Sequence, residues 1–190
     1  EWGGVDILVN NAGISSSGTL DESTYSEWQR LIDINLMGVV RGCKTFTPLI
    51  AKQGGGHIVN VASFAGIASA PGMVTYNVAK AGVISLSESL RHELASKKID
   101  LSVVCPAFFA TNLLESMNKE ESKALVTKLM NNSGVTADDV ADHIYQGVKN
   151  KEFLLITHKD SRIQYHMKRF APDLFHAFMH KMLAKLGMLQ

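Results

Sequence analysis

Tyr76 and Lys80 stand four residues apart in "TYNVAK", at the start of the apolar-periodic run "AKAGVISLSESLRHEL". A spacing of four places two side chains on one helix face, one above the other. A free tyrosine has a pKa of about 10 and is a poor base near neutrality. A nearby cation favours the phenolate and lowers that pKa. Making the phenol tenfold more acidic takes about 1.4 kcal/mol, which one close ammonium in a partly desolvated site can supply. Such a pair can give a proton to a carbonyl oxygen or take one from an alcohol. Tyr and Lys also meet by accident on solvated helix faces, so the pair gains meaning only from what else converges on it.

The elements that must position the pair can be read from periodicity. "VDILVN" (Val5 to Asn10) reads as a short buried strand ending in the turn "NAG". A helical stretch from about Ser23 to Lys52 follows, with Trp28, Leu31, Ile32, Leu36, Val39, Val40, Cys43 and Phe46 recurring at three and four. "GGG" at Gly54 to Gly56 ends it. His57 to Ser63 reads as the next strand, about Thr75 to Ser96 as a helix, and Ile99 to Cys105 as a strand stopped by Pro106. Strands alternating with long helices predict a parallel α/β sheet with crossover helices. Ligands of such sheets sit beyond the carboxyl ends of the strands. Those ends carry Asn10 to Gly13, Ser63, and Pro106 to Thr111. Residues 112 to 130 read either as a helix or as a mobile flap. Thr136 reads as a helix cap ahead of Asp138 and Asp139, and Glu152 to Thr157 as a last strand.

"NNAG", "INLMG", "GHIVNVASFAG", "YNVAK" and "CPAFFATN" appear in the order and spacing of the short-chain dehydrogenases/reductases, and Ser63 lies thirteen residues before Tyr76 as that family's serine does. The chain resembles that family from about Val5 to Thr157. The resemblance implies a Rossmann-like, doubly wound parallel sheet and an NAD(P)-dependent oxidoreductase interconverting an alcohol and a carbonyl. It makes Asn35, Ser63, Tyr76 and Lys80 the catalytic set. Tyr76 is its general acid/base, Ser63 holds the reacting oxygen, and Asn35 orders a water leading to Lys80. Lys80 also holds the nicotinamide ribose. Asn11, Ala12 and Gly13 line the adenosine side of the cofactor. Pro106 opens the nicotinamide loop, where the Phe109 backbone and the Thr111 hydroxyl meet the carboxamide. The family usually has glycine where Ala107 stands, which is tolerable if the backbone there has a negative φ. Ser63, Tyr76, Phe108 and Leu113 are the implied substrate contacts, with Phe109, Leu114 and Met117 adding to an apolar wall. That wall suggests a hydrophobic alcohol, aldehyde or ketone, such as a fatty, retinoid-like or steroid-like compound.

The family's TGxxxGxG phosphate-binding turn, whose glycines let the backbone approach the pyrophosphate at a helix N-terminus, occurs nowhere in the 190 residues. In the family's register Glu1 precedes the fourth strand, and three strands and three helices, on the order of 80 residues, are expected before it. The chain therefore reads as the C-terminal half of the fold, a fragment expected to hold cofactor weakly by itself. NAD and NADP cannot be told apart, because the selecting segment lies in the other half. Two divisions are expected: residues 1–157 as the partial NAD(P)-binding domain and 158–190 as a helical extension.

Composition narrows the alternatives. A net charge of +1 gives no case for nucleic acid, and 46% apolar residues describe a globular chain. Cys43 and Cys105, both in apolar contexts, read as buried reduced thiols. No apolar run approaches the roughly 18 residues of a membrane span. "EWGGVDILVNNAG" lacks a basic region followed by an apolar core. A cytoplasmic protein is expected, and by family analogy a homodimer or homotetramer joined through its two long helices. The tail from His158 carries six basic residues against two acids. Its helix begins at Pro172 and aligns Leu174, Phe175, Phe178, Met179, Met182, Leu183 and Leu186. It packs on its own domain or across a dimer, lies on a membrane surface over 172–189, or caps a greasy pocket. His176 and His180 at i, i+4 lack a third ligand and read as a solvated face rather than a metal site. A non-catalytic dinucleotide-binding or regulatory protein, or an inactive fragment, is the competing function, since fold alone does not fix activity. A sensor has no need of Asn35, Ser63, Tyr76 and Lys80 together.

Overall fold

The computed structural model describes residues 3–117, 119–185 and 187. Four parallel strands form one sheet in the order of the chain: β1 (Ile7–Asn10), β2 (Gly56–Val61), β3 (Ile99–Val104) and β4 (Leu154–Leu155). The helices α1 (Tyr25–Ile32) and α2 (Gly38–Lys52) cross from β1 to β2, and α4 (Val74–Ala95) crosses from β2 to β3, after a single turn α3 (Ala65–Ala68). The helices α5 (Glu120–Asn132) and α6 (Ala137–Lys149) lead to β4. Two more, α7 (Lys159–Phe170) and α8 (Pro172–Lys185), close the chain. This is the parallel α/β sheet expected from the alternation of elements, and it is Rossmann-like as the family resemblance implied.

Around β2 and β3 the sheet is covered on both faces. Ile50, Ile58, Val83, Leu94 and Val103 form the larger core, between the sheet and α2 and α4. Val59, Val104 and Leu155 face Ile144 and Val148 of α6. The continuous apolar run "LSVV" of β3 suits a strand buried on both faces. β1 pairs with β2 alone among the described residues, and its Ile7 and Val9 are half exposed.

Local chemistry sets the element ends. Thr24 and Glu27 form a capping box at α1, and Thr136 and Asp139 form another at α6, as the Thr136 pattern predicted. Gly55 ends the turn after α2 at φ +131°, and an added Cβ there would lie 2.4 Å from the Lys98 carbonyl oxygen. Between α1 and α2 the helix widens into a π-turn, Asp33–Met37, that periodicity did not foresee. The last strand is shorter than the expected Glu152 to Thr157, because only Leu154 and Leu155 pair with β3 before the chain turns into α7.

The tail packs on its own chain. Phe175, Met179 and Leu183 are buried against Ala68 and Ala70, while Leu174 and Phe178 face outward. The apolar positions of α8 therefore divide between two adjacent stripes, and only one is covered. Leu186, the end of the expected stripe, lies outside the described residues. No helix among the described residues is long and apolar enough to cross a membrane.

Candidate active site

The carboxyl ends of β1, β2 and β3 bring the expected catalytic residues into one place. Asn35 sits in the π-turn with no exposed surface. Its Oδ1 accepts from Ile14 N–H at 2.8 Å and its Nδ2 donates to the Ile14 carbonyl at 2.7 Å. π-Turns inside helices recur at functional sites, and this one aims a buried amide at the segment leaving β1. Gly13 adjoins it: a Cβ added there would stand 3.2 Å from Asn35 Oδ1 and 3.5 Å from Lys80 Nζ. Asn11 and Ala12 are exposed, so the segment after β1 forms an open shelf beside the lysine.

Tyr76 and Lys80 share one face of α4 near its start. The Lys80 ammonium lies 5.8 Å from the Tyr76 ring centroid and donates to the Val61 carbonyl, at the end of β2, at 2.9 Å. Lys80 is only 4% exposed, and burial lowers its pKa from 10.5 to about 8. Burial also dominates at Tyr76. It raises the phenol above its ordinary value, and the nearby Ser63 hydroxyl offsets part of the rise. By spacing alone, Lys80 was expected to lower the Tyr76 pKa. Desolvation of the nearly enclosed ring sets the direction instead, so in this structure the phenol rests protonated. Cys105, also enclosed, is pushed up to about 12 and keeps its thiol proton; both cysteines are buried and free.

Ser63 follows β2. Its hydroxyl accepts from Ala65 N–H at 3.1 Å and donates to the Pro106 carbonyl at 3.4 Å, tying the segments after β2 and β3 together. Ala107 has no positive φ, which is why a residue with a Cβ fits there. Thr111 accepts from Leu113 N–H at 3.3 Å and caps a short 3₁₀ turn, Asn112–Ser116. Leu113 packs in the same apolar cluster as Tyr76, with Leu31, Ala79, Ile14 and Met73. Phe108 is 37% exposed and stands outside that cluster, while Phe109 is half-buried and Met117 is buried. The structure thus brings Asn35, Ser63, Tyr76, Lys80 and Leu113 together, with Gly13 beside them and Phe108 apart.

Sequence reasoning missed what closes this site. Ser15 N–H donates to Ser116 Oγ at 2.7 Å, and Ser116 Oγ donates back to the Ser15 carbonyl at 3.1 Å. The stretch read as helix or flap is therefore clamped to the segment after β1. Ser16 and Thr75 hydroxyls meet at 2.5 Å, one residue before Tyr76. Three serines in a row resemble any polar loop, so no pattern distinguishes them.

α3 joins Ser63 to α4 by very close packing. A Cβ on Gly66 would fall 2.6 Å from the Lys80 carbonyl carbon and 2.7 Å from Ala81 N. Backbone cannot rotate away, so Gly66→Ala is expected to destabilise by about 2 kcal/mol, on the scale of overpacking. Chemical denaturation checks this; an unchanged midpoint would contradict it.

The fit to a nicotinamide cofactor is partial. The buried Lys80 ammonium and the capped turn at Thr111 suit a nicotinamide riboside, and the open shelf at Asn11 to Gly13 leaves room for the adenosine side, whereas no glycine-rich turn in this chain suits a pyrophosphate.

Residues 1–122 match the family model for short chain dehydrogenases. A 3-oxoacyl-[acyl-carrier-protein] reductase of Synechocystis sp. is 41% identical over 116 residues, covering 61% of this chain and 47% of that protein. A short chain dehydrogenase/reductase of Burkholderia phymatum, solved in complex with NAD, superposes with a TM-score of 0.83 at 29% identity, covering 90% of this chain and 68% of that one. A short-chain dehydrogenase of Sphingobium yanoikuyae, solved in complex with NADPH, gives 0.72 at 25% identity, covering all of this chain and 68% of that one. The chain spans about half the length of the curated relatives it matches. The matched residues hold every strand end described above except that of β4, and the chain belongs to the short-chain dehydrogenase family.

Proposed function

We propose that this chain carries the catalytic half of an NAD(P)-dependent oxidoreductase that interconverts a hydrophobic alcohol and its carbonyl. The observation that carries this is the meeting of Tyr76, Lys80 and Ser63 where the parallel strands end. The bound nicotinamide supplies or accepts the hydride. Tyr76 Oη gives its proton to the carbonyl oxygen in reduction and takes it back in oxidation. Ser63 Oγ steadies that oxygen. Lys80 holds the ribose and favours the phenolate left behind. Asn35 fixes the segment after β1 through Ile14, while Asn11, Ala12, Gly13, Pro106, Phe109 and Thr111 border the cofactor.

The apolar neighbours of Tyr76, namely Ile14, Met73 and Leu113, support a greasy substrate. Of the hydrophobic classes the fatty one is favoured, because the Synechocystis relative is named for a 3-oxoacyl substrate. Assembly as a homodimer or homotetramer follows by family analogy. The test is an assay of the whole protein with NADH and NADPH against 3-keto esters of increasing chain length. Turnover is expected with one cofactor preferred and with kcat/KM rising with chain length. No oxidation of either cofactor across the series would leave the non-catalytic reading in its place.

A further inference from the structure

The segment leaving β3 is pinned from two sides. On one side the Pro106 carbonyl accepts from Phe64 N–H at 2.8 Å and from the Ser63 hydroxyl. On the other stands the imidazole of His158. Ala107 N–H donates to its Nδ1 at 3.3 Å, and its Nε2 meets the Phe108 carbonyl at 3.0 Å. These partners fix the tautomer. A backbone N–H only donates, so Nδ1 presents its lone pair; a carbonyl only accepts, so Nε2 carries the proton. Thr157 Oγ1 lies 2.8 Å from Nδ1, on the acceptor side of the ring. His158 occupies the N-cap position of α7, yet its side chain makes no cap bond there. The ring serves the neighbouring segment instead of its own helix.

We infer that His158, as the neutral Nε2–H tautomer, is a positioning residue for the nicotinamide end of the cofactor. The inference rests on the reading that Phe109 and Thr111 border the carboxamide. With Pro106, Ala107 and Phe108 all held by hydrogen bonds, the chain enters residues 109 to 111 in one direction. Without the imidazole the last fixed point is Pro106, and the next is the Thr111 cap. The cofactor would then have to order the stretch between them, which weakens binding rather than the chemical step.

His158→Phe fills the volume of the ring and offers neither hydrogen bond. His158→Asn returns an acceptor near the position of Nδ1. In the whole protein, H158F is expected to raise the nicotinamide KM by about tenfold, with kcat at saturating cofactor within about twofold, the scale of one or two neutral hydrogen bonds. Amide exchange at Ala107 should quicken in H158F, and H158N should recover part of both effects. A residue that only supports the fold would lower melting temperature without this split of KM from kcat. An unchanged KM in H158F, or a raised KM with unchanged Ala107 exchange, overturns the inference alone. Parent protein that binds neither NADH nor NADPH overturns the functional reading and this inference with it. Should H158F not fold, H158N against parent carries the same comparison.

Discussion

Tyr76→Phe is expected to lower turnover by about 10³-fold, within the range assigned to a positioned general acid/base, while cofactor affinity stays near that of the parent protein. The substitution deletes one oxygen from a ring that is 6% exposed and packed among Leu31, Ala79, Ile14 and Leu113. All of those apolar contacts survive it, so the fold has little reason to change. What is lost is the group that can exchange a proton with the substrate oxygen. Burial holds the phenol above its ordinary pKa, so the ring carries its proton in the absence of substrate. Steady-state rates and a fluorescence titration of nicotinamide on the same sample separate the two effects. Rates within tenfold of the parent would remove Tyr76 from the chemistry; equal loss of binding would point to a disturbed pocket.

The residues of the candidate site could be located from the sequence because each falls at a strand end or on one helix face. Tyr76 and Lys80 are four apart on α4, and Ser63 and Pro106 follow β2 and β3. Apolar runs and turn residues mark such ends directly. What was not legible is set by contacts between distant segments. Ser15 meets Ser116 across 101 positions, and His158 meets Phe108 across 50. Nothing local distinguishes these residues from ordinary loop polar groups. The π-turn at Asp33–Met37 is invisible for a related reason: one extra residue per turn shifts the apolar stripe too little to break its period. Within the helical extension the bounds of α7 were not legible, because its apolar residues are spread around the helix, with Ile163 and Phe170 exposed and only Ser161 buried. The electrostatic direction at Tyr76 was misread because spacing reports a neighbour's charge and says nothing of enclosure.

Enclosure also makes Lys80 costly to the fold, which leads to the second large effect. The folded chain holds its ammonium at about 8, against the ordinary 10.5 expected once unfolded. Below about pH 8 both states are protonated, and the folded state bears the whole cost of burying the charge. Between about 8 and 10.5 the folded state releases its proton while the unfolded state keeps it, so stability rises with pH across that window. A depression of this size corresponds to about 3 kcal/mol. Lys80→Met keeps a long flexible stem without the charge. It forfeits the bond to the Val61 carbonyl, a loss of about 1–2 kcal/mol for a buried acceptor left without its donor. The balance predicts that K80M is more stable than the parent by about 1–2 kcal/mol at pH 7. Its stability should also be flatter between pH 8 and 10.5. Turnover should fall by on the order of 10²-fold, because the charge that favours the Tyr76 phenolate is gone. Urea unfolding at pH 7 and pH 9.5, with rates on the same preparations, checks all three. A less stable K80M at pH 7 would mean that the ammonium is well solvated or well paired in the folded protein. Stability gained together with activity lost would show a lysine kept at the expense of the fold for the sake of the site.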